Sequence, residues 1–154
     1  MRSFFNKIQQ FLKNGVKKGV IMRMQLTNDY DGFDMVWIAS DINGQLGAFN
    51  TFGGGPVPCE ALNFPFEDIE EAVLRLSYNS GTHLLPQLPS QDRFIELVNR
   101  GFFVYDWSHS NSYKLYEVPI KPRLISELPD DLQKLADSIK FHIAFKEESE
   151  LKVE

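Results

Sequence analysis

The chain has one cysteine, Cys59, in 154 residues, which excludes an intrachain disulfide. A lone thiol fits a reducing compartment, and a cytoplasmic setting is expected. No apolar run approaches the roughly 18 residues of a membrane-spanning helix, so no integral membrane contact is expected. The N-terminus has the positive charge of a secretory signal but not its continuous apolar stretch, because Asn6-Lys7, Gln9-Gln10 and Lys13-Asn14 interrupt it.

Signatures of site chemistry are also missing. His83, His109 and His142 are far apart and no second thiol exists, so a zinc site is not expected. Asp29, Asp31 and Asp34 lack the central glycine placement and the closing glutamate of a calcium loop. Gly53-Gly54-Gly55 is followed by Pro56 and Pro58, which remove two of the backbone donors a phosphate loop needs. The triplet reads as a turn leaving a strand. Cys59 has no signature around it that pairs it with a histidine, and no Gly-x-Ser-x-Gly elbow is present. Neither a catalytic residue, a metal nor a cofactor is expected.

Acid is absent from residues 1–24, which hold six bases; the other 130 residues hold ten bases and all 21 acids, a net charge of −11. A domain with that balance repels nucleic acid phosphates and suits a basic protein partner. In the basic segment, Phe4, Phe5, Ile8, Phe11 and Leu12 fall on one helical stripe. Three readings stand open: an arm that touches a membrane surface or a partner, a helix packed on the domain, or a segment outside the working protein. Met22 and Met24 both precede the globular pattern, and either would serve as a start.

What is abundant is aromatic: 13 Phe, five Tyr and two Trp predict an aromatic-rich core. Met35–Ala39 and Gln45–Phe52 read as strands joined at Asp41-Ile42-Asn43-Gly44, a hairpin turn. Glu67–Tyr78 and Ser90–Arg100 read as helices, with Gly101 as a left-handed stop. Phe102–Trp107 and Tyr113–Ile120 read as strands, Ser126–Ile139 as holding a helix opened by Pro129-Asp130-Asp131, and Phe141–Phe145 as a short strand. The charged tail 146–154 is expected to fray. The sum is one α+β domain over residues 25–145, with an antiparallel sheet of four to five strands and about three helices packed on one face.

If the Met35 and Phe102 strands are neighbours, Trp37, Asp41, Tyr105, Asp106 and Trp107 gather into a binding cluster for a basic partner. An alternative is a small hydrolase or ligand-binding site between the Gly-Pro loop and the Asp106–His109 turn, with Cys59 or His109 beside a carboxylate. The segments VWIASDINGQLGAF (Val36–Phe49), GGPVP after it, and GFFVYDW (Gly101–Trp107) resemble small uncharacterised bacterial proteins of toxin-immunity neighbourhoods. The resemblance spans residues 30–135 and implies a cytoplasmic protein that binds and blocks a cognate toxin. It carries no functional residue onto this chain.

Overall fold

A computed structural model describes residues 20–64, 66–79 and 92–154. The stripe at 3–13, His83 and Ser90 lie outside the described residues. The domain is α+β, and its main sheet has six strands. These are β1 (Val20–Met22), β3 (Val36–Ser40), β4 (Leu46–Asn50), β6 (Phe103–Ser108), β7 (Ser112–Glu117) and β8 (Glu150–Val153). Two short strands, β2 (Leu26–Thr27) and β5 (Val57–Pro58), pair separately. Three helices, α1 (Phe66–Leu74), α2 (Asp92–Asn99) and α3 (Asp130–Ser138), complete the described elements, with single 3-10 turns between them.

The sheet order is β1-β8-β7-β6-β4-β3. It is mixed, which corrects the expected antiparallel sheet of four to five strands. The hairpin β3–β4 is antiparallel as expected, and Gly44 has the positive φ its turn requires. Strand β4, however, pairs parallel with β6. Two described helices separate them in sequence, and a crossover of that length returns the chain in its original direction. The second parallel pair is β1 with β8, where Val20 faces Leu151 and Met22 faces Val153. Residues 146–154 therefore do not fray as a tail: Leu151 and Val153 are buried. Phe141–Phe145 is not a strand, although both of its end residues are buried.

Both faces of the sheet are covered at β3 and β4. Strands β3 and β4 are buried at every residue, so neither shows the polar alternation of a half-exposed strand. Trp37, Phe49 and Tyr105 stand on adjacent strands in register, and their rings stack at 4.2 and 4.9 Å. Phe141 stacks on Phe49 at 5.4 Å, and Phe145 closes over Gly47, where a side chain would collide with its ring. On the other side, Ser40 Oγ donates to the Ala136 carbonyl of α3, and Phe94 of α2 meets Tyr116 edge-on. Helix α1 also packs on β3.

Two arginines tie the helix ends together. A helix leaves its last carbonyls without partners, and its C-terminal end carries partial negative charge. Arg100 donates to the carbonyl of Leu74, the last residue of α1, to that of Leu76 just beyond it and to Glu96, while Arg123 donates to the Ser77 and Arg100 carbonyls. Gly101, at φ +93, lets the chain pass Arg123 so closely that a Cβ would lie 2.6 Å from its backbone nitrogen. The expected glycine stop is thus also a close approach.

Candidate functional site

Of the five residues expected to cluster, three belong to the interior. Trp37 is fully buried; its indole N–H donates to the Tyr113 hydroxyl at 3.1 Å, which in turn donates to the Pro56 carbonyl. Tyr105 is fully buried as well, its hydroxyl proton shared between the Phe145 and Glu148 carbonyls. Asp41 is also fully buried and accepts three backbone N–H groups, those of Asn43, Gln45 and Phe145, each at 2.9 Å. It ties the hairpin turn to the C-terminal segment. The expected neighbours β3 and β6 are separated by β4, so Phe49 stands between Trp37 and Tyr105.

Burial pushes the phenols of Tyr105 and Tyr113 well above their ordinary range; Glu148 and Asp41 add to this for Tyr105. An unfolded phenol ionises at about pH 10. The folded state holds these protons more tightly, so their contribution to stability is complete below that pH and declines as pH climbs above it. In an ultraviolet phenolate titration, these two tyrosines should stay protonated until the domain unfolds. A smooth titration of all five tyrosines with the fold intact would contradict this burial.

Asp106 and Trp107 reach the surface, where both are partly exposed. The parallel strands β4 and β6 end side by side, with Asn50 opposite Asp106. Asn50 donates its amide to Asp106 at 2.9 Å. Burial raises the Asp106 carboxyl above the usual range, the Asn50 bond opposes that, and Asp34 adds to the rise. Just past the strand ends is a cleft of about 430 Å³ lined by Phe52, Asp106, Trp107, Ser108, His109 and Asn111.

The cleft holds residue types of a hydrolase without their connections. Asp106 bonds Asn50, and Ser108 bonds Ser110 and Ser112. Among the described residues no hydrogen bond joins Asp106, Ser108 and His109, and Cys59 is not one of those that line the cleft. A nucleophile and its base must reach hydrogen-bond distance. Among the described residues no group of three or more His, Cys, Asp or Glu could hold a metal ion. Nor is any described helix long and apolar enough to cross a membrane.

Other features of this rim were not foreseen from sequence. Phe52 is 64% exposed and sits at φ +50. A bulky residue at positive φ is an outlier that costs on the order of 1–3 kcal/mol. Phe33, 52% exposed, lies on the adjoining loop, which is held by Gly32 N–H to the Gly53 carbonyl and Thr51 Oγ1 to the Phe33 carbonyl. Asp29, Asp31 and Asp34 are exposed on that same loop. The readable signal was charge: Met24–Leu74 contains nine acids and no Lys, Arg or His. The triple glycine proved more specific than punctuation. A Cβ on Gly55 would run into the Tyr113 hydroxyl, so this loop must be bare to lie on the aromatic layer.

Comparison with known proteins finds no match for this chain: no family model, no curated protein and no solved structure.

Proposed function

We propose that this chain is a non-enzymatic protein-binding domain that docks a basic protein on the rim of Phe33, Phe52, Asp106 and Trp107. An immunity protein that neutralises a basic toxin is its particular form, with cytoplasmic action. The observation that carries this reading is exposed aromatic surface set in acid: Phe33 and Phe52 are both exposed, on adjoining loops of the base-free stretch. Aromatic anchors with a charged rim are the composition of binding hot spots. A field of one sign also speeds encounter with a partner of the other.

The protein to test is the product of the reading frame beside this one. Co-expressed with the full chain, it should form a complex whose association slows about tenfold or more between low and high salt. The double variant Phe52→Ala/Trp107→Ala should weaken that complex at least roughly tenfold, as loss of two anchors does. A neighbour that is not basic overturns the immunity form. A complex indifferent to both salt and the two aromatics overturns the docking rim.

A further inference from the structure

We propose that the cleft beside Phe52 and Trp107 seats a single arginine side chain of the partner, with Asp106 as its counter-charge. The inference rests on the docking rim proposed above and names the chemistry of its central contact.

Asp106 is a partly buried carboxylate with no ion pair among the described residues. Its one side-chain partner is the neutral amide of Asn50. Arg93, whose charge is felt at Asp106, makes its hydrogen bonds elsewhere: Glu70 takes it with both oxygens at 2.6 Å, and Asp34 takes its third nitrogen at 3.2 Å. Lys114 stands opposite Asp106 in the β6–β7 ladder, yet it is exposed and makes no ion pair with it. A desolvated carboxylate without a cation is costly, and a cation supplied from outside would relieve it.

The walls of the cleft suit the same guest. Phe52 and Trp107 offer aromatic surface, and such faces attract cations through their quadrupole. Phe52 holds its exposed position against backbone strain with little burial in return. Strain of that kind is kept where the side chain has work outside the fold. Arginine fits better than lysine: its planar guanidinium can stack on a ring while donating to a carboxylate, whereas an ammonium is a more strongly hydrated point charge. The cleft, at about 430 Å³, is large enough for a long side chain and at the small end for an organic ligand.

The test uses the two tryptophans of the full chain, labelled with nitrogen-15. The probe is acetyl-arginine methylamide, with the lysine and glutamate analogues as comparisons. The Trp107 indole N–H signal should move on titration with the arginine probe, less with lysine and not with glutamate. The Trp37 indole, bonded to Tyr113 inside the core, should stay still and serves as the internal reference. Asp106→Asn should shrink the Trp107 shift at least threefold while the rest of the spectrum keeps its dispersion. Phe52→Gly removes the strained side chain, so it should leave the melting temperature unchanged or higher and still diminish the shift. A stationary Trp107 signal, equal shifts from all three probes, or a response unchanged in Asp106→Asn overturns the arginine seat. Failure here with the Phe52→Ala/Trp107→Ala effect intact would remove the seat and leave the docking rim standing. Loss of both would remove both.

Discussion

Asp41→Ala should lower stability by about 4 kcal/mol, because one buried carboxylate holds three backbone donors. Its removal leaves the Phe145 N–H without an acceptor in the interior and the hairpin turn without its internal brace. For a chain of this size the melting temperature should fall by about 10 °C. Asp41→Asn keeps one acceptor oxygen and turns an amide towards a donor, so its loss should be roughly half as large. Thermal melts of the two variants check the order. If Asp41 met a partner instead, both variants would melt like the parent and lose only binding.

Phe49→Ala should cost a similar amount, about 4–5 kcal/mol, at the upper end for an aromatic removed from a core. Phe49 is fully buried and central to the aromatic layer. Trp37 and Tyr105 stack on its two sides along the sheet, Phe141 stacks at 5.4 Å, and Tyr113 and Phe145 meet it edge-on. Each such pair adds roughly 0.5–1.5 kcal/mol beyond the area it buries. The strands on either side are backbone-paired and cannot close the gap by collapse, so most of the cavity should persist. Urea unfolding measures the loss, and the near-ultraviolet dichroism of Trp37 should weaken with it. Phe49→Leu restores volume without the stacked geometry and should recover about half. Equal stabilities for the leucine variant and the parent would show that ring geometry contributes nothing.

These two residues also show what could be read in advance. Asp41-Ile42-Asn43-Gly44 was legible as a turn because Asp and Gly have local backbone preferences that tertiary structure rarely overrides. The helices were legible through their apolar spacing, and α2 was stopped at Gly101 by the same local logic. Pairing was less accessible. Whether β4 meets β6 depends on where two intervening helices return the chain, and no local preference encodes that. The strands β1 and β8 are three and four residues long and are set in charged sequence, so only their mutual pairing shows them.

The candidate site was half legible. Asp106 and Trp107 were found because a strand runs out into polar residues there. Trp37 belongs to the interior, and Val-Trp-Ile-Ala carries the sign of it: the run has no polar alternation, which is the mark of a strand covered on both sides. Phe33 and Phe52 carry no such signal: Phe33 stands among turn residues and Phe52 closes the expected Gln45–Phe52 strand, whereas the strand ends at Asn50 and both rings are exposed.

The pairing of the first and last strands of the described fold has a mechanical consequence. Because β1 and β8 run parallel, tension applied from Val20 and from Glu154 pulls the two strands past each other along their length. The ladder bonds, together with those between Met24 and Glu154 and between Glu154 and Met22, would then be sheared as a set, not opened one at a time like a zip. A chain held at both ends would resist there first, so the aromatic layer and the acidic rim would stay out of the line of force until that clasp gave way.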